Sequence, residues 1–348
     1  MVLSAGLIET GSKSSTANVS RCLISKAHMN ILVFGKDGQL GKAFHALLDS
    51  LLSTLVDKPN IQYVGRAECD LGDAVALSTL LSQRQPILII NASAYTAVDR
   101  AETEAELAFA INAKAPEVMA QYAAEYGATL IHYSTDYVFD GEKYGYYLEG
   151  DVRNPLGAYG KSKAAGEEAI ARIFAASYGG GQYAIFRTSW VYGDGGNFIR
   201  TILRLAKDRE ELNVIDDQYG VPTSAVWLAK VSLDLVADSN LKIRRFSSGI
   251  YHVVPTGEIS WHGLATLAVQ AALDAGVLLK LVPVSIKPIP AVEYPLPAPR
   301  PMNSRMSTDK LHQVLEGRGD MSKLELLNQP WDVAVMEYVS SLAKDGLI

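Results

Sequence analysis

The sequence predicts an α/β fold, in which a doubly wound parallel sheet is followed by a smaller, mixed α/β lobe. Short apolar runs rich in Ile and Val alternate with longer helical patterns from Asn30 to Ala176, which is typical of βαβ units whose sheet is buried on both faces. A glycine-rich turn follows the first predicted strand, as in dinucleotide-binding folds. After Trp190 the alternation gives way to helices with few short strands.

Residues 1–28 are rich in serine, poor in acidic residues and without periodicity, so we expect a disordered leader that contributes nothing to the fold. A transit peptide, a mistaken start codon and a cloning remnant would each give such a leader. The ordered chain is expected to begin at Met29.

Residues 29–189 are predicted to form a Rossmann-like domain, because right-handed crossovers between its strands produce a doubly wound sheet. Its predicted strands are 30–34, 61–64, 87–91, 129–134 and 183–188, and its helices are 41–55, 73–82, 104–126 and 158–176. Residues 190–348 are expected to form a substrate-binding lobe, whose segments can interleave with the sheet. Its predicted elements are helices at 198–207, 224–237 and 260–275, a strand at 249–254 and an extended, proline-rich run at 282–301.

Composition restricts the partners of the protein. The chain of 348 residues carries a net charge of −6 and no dense Lys/Arg block, which argues against binding to nucleic acid or to an anionic membrane. Its two cysteines, Cys22 and Cys69, lack the paired spacing of a disulfide framework or a zinc site. No apolar run approaches the ~20 residues of a membrane-spanning helix. We therefore expect a cytoplasmic protein that acts on small molecules.

The turn after the first strand, GKDGQLG, places glycines at positions 35, 38 and 41. Gly35 permits a tight turn, Gly38 lets backbone N–H groups approach a pyrophosphate, and Gly41 lets the helix lie close to the strand. A glycine trio alone is a weak signal, and an ordinary glycine-rich turn is the alternative. Its position between a strand and a helix favours a dinucleotide.

The end of the second strand bears on the choice of cofactor. Arg66 stands near the position where an acidic residue ordinarily binds a free ribose 2′-OH, and a guanidinium there favours the 2′-phosphate of NADPH over NADH. A solvated arginine is the alternative. Asp70 and Leu71 are expected to meet the adenine ring.

Tyr159 and Lys163 lie four residues apart on a predicted helix and therefore share one helix face. Hydride addition to a ketone creates an alkoxide that needs a proton, and a phenol can supply it if a nearby ammonium lowers its pKa. We expect Tyr159 to be this acid, Lys163 to lower its pKa and hold the nicotinamide ribose, and Thr135 to orient the carbonyl. An ordinary surface pair at this spacing is the alternative.

Five longer segments are distinctive, namely 91–99 (NASAYTAVD), 132–141 (HYSTDYVFDG), 187–192 (RTSWVY), 217–223 (DQYGVPT) and 300–304 (RPMNS). Through them the chain resembles the dTDP-4-dehydrorhamnose reductase family of extended short-chain dehydrogenases. The resemblance, which runs from Met29 almost to the C-terminus, implies NAD(P)H-dependent reduction of a C4 ketone, the last step to dTDP-L-rhamnose.

The same resemblance implies roles for individual residues, with Thr135, Tyr159 and Lys163 as the catalytic trio. The implied dinucleotide site, with Arg66 added from its own position, comprises Gly35, Asp37, Gly38, Gln39, Leu40, Arg66, Asp70, Leu71, Ala92, Ser93, Ala94, Tyr95, Tyr159 and Lys163. The implied nucleotide-sugar site comprises Thr96, Val98, Thr135, Asp136, Tyr137, Tyr159 and Trp190. An aromatic face at Trp190 suits the apolar side of a 6-deoxy sugar, and a tryptophan of the core is the alternative.

Members of the family that dimerise through magnesium use glutamates, but Ala43 and Val226 occupy those positions here. Neither side chain offers the oxygen that magnesium needs, so we expect no metal site and leave open whether the protein is a monomer or a homodimer. The six scattered histidines are expected to be structural. The acidic residues Asp99, Glu102 and Glu104 are expected to cap a helix rather than take part in chemistry.

Two other functions remain compatible with these residues. One is a nucleotide-sugar epimerase or dehydratase that recycles its NAD. The other is a catalytically idle, dinucleotide-binding regulatory subunit, although such a protein would not need an intact Thr135, Tyr159 and Lys163.

Overall fold

The computed structural model describes residues 29–319 and 321–348, so the expected leader lies outside the described residues. The strands are β1 (Asn30–Phe34), β2 (Asn60–Val64), β3 (Leu88–Asn91), β4 (Thr129–Thr135), β5 (Gln182–Thr188), β6 (Val191–Tyr192), β7 (Leu212–Ile215), β8 (Tyr219–Gly220), β9 (Thr223–Ser224), β10 (Gly249–His252), β11 (Ile259–Ser260) and β12 (Ile286–Ile289). The helices are α1 (Gln39–Thr54), α2 (Ala74–Arg84), α3 (Ala105–Phe109), α4 (Ala115–Tyr126), α5 (Ala158–Ala176), α6 (Phe198–Asp208), α7 (Ala225–Val236), α8 (Trp261–Asp274), α9 (Asp309–Glu316), α10 (Met321–Leu327) and α11 (Trp331–Lys344).

Six strands form a parallel sheet in the order β10-β5-β4-β3-β1-β2. Its central strands are buried along their length because they carry apolar side chains on both faces, as the sequence predicts. Strand β1 lies between β2 and β3, so the order in which the chain adds strands reverses at β1 and β3. Ligands of open α/β sheets bind beyond the carboxyl ends of the strands at such a reversal.

The predicted strands and helices of residues 29–189 agree with the structure to within about two residues, except for the helix predicted at 104–126. That segment consists of α3, a π-helical turn at Ala110–Lys114 and α4. The turn contains Asn112, whose backbone oxygen would lie 2.2 Å from any Cβ at Gly166 of α5. The glycine thus allows the two helices to approach closely here.

The strand that the sequence assigned to the second lobe, 249–254, instead forms an edge of the main sheet. Its structured part, β10, pairs with β5 from Gly249 opposite Ala184 to His252 opposite Arg187. Helix α7 also joins this layer, since Leu228 and Val231 belong to the core that contains Phe44 of α1. The sequence analysis allowed segments of this lobe to interleave with the sheet, but it could not identify the strand or its partner, because strand pairing is set by long-range contacts. The domain boundary at residues 189 and 190 stays a prediction.

A second core lies among α6, α8 and α11 and includes Leu203, Leu264 and Val335. The proline-rich run contributes an extended piece to this region, since β12 pairs in parallel with β7. Two short pairs, the parallel β6 with β9 and the antiparallel β8 with β11, lie beside this core. None of the described helices has the length and apolar character needed to cross a bilayer.

Candidate active site

A cleft of about 820 Å³ opens at the carboxyl ends of the sheet strands, where the strand order reverses. Every site residue predicted from the sequence lines it. These are Gly35, Asp37, Gly38, Gln39, Leu40, Arg66, Asp70, Leu71, Ala92, Ser93, Ala94, Tyr95, Thr96, Val98, Thr135, Asp136, Tyr137, Tyr159, Lys163 and Trp190. The structure therefore brings the predicted side chains together, while their individual roles stay predictions.

The glycine turn at the start of α1 forms a cradle made of backbone. Gly35 has a φ of +86°, and a Cβ there would lie 2.8 Å from the carbonyl carbon of Ala92. At Gly41 a Cβ would lie 1.9 Å from the oxygen of Gly35. Helix α1 has neither a side-chain cap nor an acidic residue in its first turn, so its first N–H groups remain suited to an anion such as a pyrophosphate.

Arg66 lies exposed at the far end of the cleft, after β2. Within the described part of the chain it forms no ion pair, whereas the neighbouring Lys36 is bound by Glu68. Its guanidinium is therefore accessible to a phosphate group. The buried Cys69 also lines this end. Sequence reasoning missed Cys69, because a lone cysteine carries no spacing signal.

Tyr159 and Lys163 lie on the first two turns of α5, beside the end of β4. The ring of Tyr137 meets that of Tyr159 edge to face, with centroids 5.4 Å apart. Burial and then the negative charge of Asp136 raise the pKa of Tyr159 above its ordinary value, while a hydrogen bond with Thr135 opposes them. The phenol is therefore held protonated.

The ammonium of Lys163 is directed towards strand β4. Its Nζ donates to the backbone oxygen of Tyr133 at 2.5 Å and lies 3.5 Å from Nε2 of His132. Burial lowers the pKa of Lys163 to about 8. Lys163 is not among the groups that shift the pKa of Tyr159 in the protein without cofactor, and its predicted role as the acidifying ammonium stays a prediction.

A buried hydrogen-bond chain runs from the loop after β3 to His132, whose ring lies beside Lys163. The Ser93 backbone N–H donates to Oδ1 of Asn91, which leaves the Asn91 amide nitrogen to donate to Nδ1 of His132 at 3.0 Å. Burial, followed by the charge of Lys163, holds the pKa of His132 well below its ordinary value. Neutral His132 therefore carries its hydrogen on Nε2, the nitrogen that faces Lys163.

Asp136 follows β4 and is buried, and both of its carboxylate oxygens are engaged. Oδ1 accepts from the hydroxyl of Thr135 at 2.8 Å, and Oδ2 accepts from the hydroxyl of Ser304 at 2.5 Å. Burial raises the pKa of Asp136 to about 6. The sequence predicted a sugar ligand at this position, but these contacts direct the carboxylate towards protein hydroxyls. Ser304 lies in the segment 300–304, and the sequence alone predicts no role for it.

Trp190 lines the cleft in a strained conformation, with a φ of +49°. Its indole stacks on Trp261, with ring centroids 3.5 Å apart and planes 15° apart. Gly220 also comes close, since a Cβ there would lie 2.6 Å from Cε2 of Trp190. Trp261 is the first residue of α8, which Ser260 caps. No sequence pattern points to Trp261, because the stack joins segments 71 residues apart along the chain (190 to 261).

The loop after β3 is fixed by a side chain from the π-helical turn. Asn112 accepts from the Tyr95 N–H at 2.9 Å and donates both to the Tyr95 oxygen and to the hydroxyl of Ser162 on α5. The hydroxyl of Tyr95 donates to Glu104 at 2.6 Å. Asn112 thus joins the predicted cofactor loop to the predicted catalytic helix, a role that helical periodicity cannot reveal.

The sequence predicted that Asp99, Glu102 and Glu104 cap the helix that follows them, but Asp99 and Glu104 make no such cap. Glu102 accepts from the Ala158 N–H and so caps α5, not the helix that immediately follows Glu102 in the chain. Asp99 accepts from both terminal nitrogens of Arg300. Glu102 therefore helps to position the helix that carries Tyr159.

Among the residues that line the cleft, Ser134 and Thr188 carry buried hydroxyls that have no hydrogen-bond partner within the described residues. Both side chains lie at the carboxyl ends of adjacent strands, β4 and β5. Buried hydroxyls ordinarily find a partner, so these two are suited to a polar ligand. No group of three or more His, Cys, Asp or Glu side chains with the arrangement of a metal site occurs in residues 29–319 and 321–348.

Comparison with known proteins places these features in a family. Residues 29–326 match the family model described as the RmlD substrate binding domain. The dTDP-4-dehydrorhamnose reductase of Escherichia coli (strain K12) is 40% identical over 316 residues, covering 90% of this chain and 98% of the relative.

Two solved structures show the same architecture. A dTDP-4-dehydrorhamnose reductase of Clostridium acetobutylicum gives a TM-score of 0.75 at 32% identity, with 90% of this chain and 99% of that chain covered. The corresponding reductase of Bacillus anthracis, in complex with NADP, gives a TM-score of 0.72 at 30% identity, with 89% and 98% covered.

Proposed function

The chain belongs to the dTDP-4-dehydrorhamnose reductase family, and we propose that its cleft reduces the C4 ketone of dTDP-4-dehydro-6-deoxy-L-mannose to dTDP-L-rhamnose. The reductant is NADPH or NADH, and the reaction is the last step of dTDP-rhamnose biosynthesis. The observation that carries the proposal is the shared location of the glycine cradle, Tyr159, Lys163 and Thr135 in one cleft. Cytoplasmic location and the choice between monomer and homodimer stay predictions.

The residues of the cleft fit a dinucleotide. The cradle of Gly35, Gly38 and Gly41 leaves room and N–H groups for the pyrophosphate. Arg66 suits the 2′-phosphate of NADPH, while Asp70 and Leu71 would border the adenine. Ala92, Ser93, Ala94 and Tyr95 would border the nicotinamide half, with Lys163 at its ribose. When bound, the reduced nicotinamide supplies a hydride to the sugar carbonyl.

Tyr159 would supply the proton. As the C4 carbonyl becomes an alkoxide, the phenolic hydrogen moves to the sugar oxygen. A raised pKa suits this direction of reaction, because the acid must be protonated at neutral pH. Thr135, at the end of β4, would hydrogen-bond the phenol, and the positive charge of Lys163 would favour the phenolate through space.

The sugar would lie between Tyr159 and the tryptophan stack. The pair formed by Trp190 and Trp261 offers an apolar wall for the 6-deoxy carbon. Thr96, Val98 and Tyr137 border the same space, and the unpartnered hydroxyls of Ser134 and Thr188 lie at its base.

The full chain, purified and mixed with the dTDP-4-keto sugar and NADPH or NADH, tests this function by the loss of nicotinamide absorbance. We expect one NAD(P)H to be oxidised for each dTDP-L-rhamnose formed. An epimerase or dehydratase would convert nucleotide sugar without a net loss of absorbance. A regulatory subunit would bind the dinucleotide and convert nothing, and either result would contradict the proposal.

A further inference from the structure

Ser304 reaches the predicted catalytic residues from a distant part of the chain. It lies 168 residues from Asp136 in sequence, yet its hydroxyl donates to Oδ2 of that carboxylate. Its side chain is 3% exposed. The segment is held in place by its backbone, since the Ser304 N–H donates to the oxygen of Tyr219 at 2.7 Å, and by Asn303, which donates to the oxygens of Lys143 and Gly145.

A count of hydrogens shows what the contact does. An ionised carboxylate can only accept hydrogen bonds, so both neighbours of Asp136 must be donors. Thr135 has one hydrogen and directs it to Oδ1 of Asp136, while its oxygen accepts from the Tyr137 N–H at 3.2 Å. The hydrogen bond that lowers the pKa of Tyr159 requires this same hydrogen, so Asp136 and Tyr159 compete for it.

When Tyr159 gives up its proton, it needs a hydrogen-bond donor, and Thr135 is the neighbouring hydroxyl. The phenolate oxygen then competes with Asp136 for the single Thr135 hydrogen. A donor on the other oxygen of Asp136 withdraws charge from the carboxylate and weakens its hold on that hydrogen. Ser304 is this donor, because the other carboxylate oxygen already faces Thr135.

We propose that Ser304 is a positioning residue, which acts through Asp136 to release the Thr135 hydrogen to Tyr159 during proton transfer. The inference rests on the proposed function and deepens it. Tyr159 gives its proton to the sugar oxygen, the Thr135 hydrogen turns from Asp136 to the phenolate, and Asp136 keeps the hydrogen bond from Ser304. No covalent bond to Ser304, Thr135 or Asp136 forms or breaks. The proline-containing segment 300–304 thereby becomes part of the reaction centre without touching the substrate.

Substitution of Ser304 by Ala tests the proposal in the same absorbance assay. We expect kcat to fall about ten-fold, which is the scale of one hydrogen bond to a charged group, with KM for the sugar and Kd for NADPH within about two-fold. Ser307→Ala is the matched control, because Ser307 lies three residues farther along the chain. Its hydroxyl donates only to Asp309, at the surface. A kcat of Ser304→Ala equal to that of the wild type would overturn the proposal.

Two further variants separate the hydroxyl from the shape of the side chain. Ser304→Thr and Ser304→Val add the same bulk, but only Thr keeps a donor. We expect Thr to retain most of the wild-type kcat and Val to match Ala. Equal rates for Thr and Val would overturn the proposal, and thermal unfolding of the pair shows whether both variants fold.

A double-mutant cycle with Asp136→Asn shows whether Ser304 acts through the carboxylate. We expect Ser304→Ala to lower kcat less than about two-fold in the Asp136→Asn background, because the charge that Ser304 modulates is gone. If the two substitutions instead lower kcat independently, so that their fold-changes multiply, Ser304 has a merely structural role and the proposal is overturned.

If the wild type does not reduce the sugar, the proposed function fails. The same four proteins are then compared by thermal unfolding. Additive losses of unfolding free energy would show that Ser304 and Asp136 do not interact, which would overturn the proposal.

Discussion

The two halves of the cleft are built by different means. The dinucleotide half, from Gly35 to Gly41, is formed by backbone that turns tightly within seven residues and faces Ala92. The sugar half is formed by side chains from separate segments, among them Asp136 with Ser304 and Trp190 with Trp261. A tight backbone turn requires glycines at a regular spacing, which can be recognised in the sequence. Contacts between side chains from distant segments produce no such pattern. The difference predicts distinct effects of substitution in the two halves.

The largest effect is expected at Tyr159, which serves both halves. Tyr159→Phe removes only the proton donor, so kcat should fall by about two to four orders of magnitude while Kd for NADPH changes little. Steady-state absorbance and cofactor fluorescence measure the two quantities. Tyr192→Phe is the control, since it removes a buried tyrosine hydroxyl from a residue that does not line the cleft. A Tyr159→Phe variant with undiminished turnover would remove Tyr159 from the mechanism.

A substitution at Gly35 isolates the dinucleotide half. Gly35→Ala requires an L side chain at φ +86° and places its Cβ 2.8 Å from the Ala92 backbone, so the turn must move. We expect Kd for NADPH to rise roughly 100-fold, since a shift of the backbone removes several N–H contacts to the pyrophosphate.

Gly276→Ala is the control for backbone strain alone. Gly276 has a similar φ of +82°, but nothing lies within 4 Å of the added Cβ. It should cost about 1 kcal/mol in unfolding free energy and leave Kd unchanged. Equal affinities for the Gly35 and Gly276 variants would show that the cradle does not need its close approach to Ala92.

Trp261→Ala isolates the sugar half. Removal of one indole from the stack exposes the other face of Trp190 and lets the strained residue relax, so KM for the sugar should rise about ten-fold with NADPH binding unchanged. Phe198→Ala, which removes the other aromatic ring that contacts Trp261, should have a smaller effect. If Kd for NADPH rises instead, the stack supports the whole cleft and the two halves are not separable.

The sequence predicted what depends on local chemistry. Strands β1 to β5 and helix α5 follow from apolar runs and helical periodicity, and the glycine turn follows from its spacing. Three features escaped prediction. The return of β10 to the sheet, the role of Asn112 in the π-helical turn and the Ser304 contact each depend on where remote segments meet. The direction of the Lys163 ammonium was not predicted either. The spacing between Tyr159 and Lys163 shows that they share a helix face, but it does not show that the Tyr133 carbonyl accepts a hydrogen bond from Lys163.

A further effect concerns Lys163 and appears in stability and not in catalysis. Burial lowers its pKa to about 8 in the folded chain, against about 10.4 in an unfolded one. Between these values the unfolded chain binds more protons, so the free energy of unfolding contributed by this group rises with pH. Below about pH 8 the lysine is charged in both states, and its contribution is constant.

Comparison with Lys163→Met isolates this contribution, because the other titrating groups are common to both proteins. Without cofactor, the stability of the wild type relative to the variant should increase from about pH 8 to pH 10 by about 1 to 3 kcal/mol, as read from urea unfolding. Lys161→Met, on the same helix but exposed, should show no such rise relative to the wild type. Parallel curves for the wild type and Lys163→Met would mean that the Tyr133 carbonyl fully compensates the burial of the ammonium. The lysine would then belong to the rigid scaffold of the cleft and not to its titrating groups.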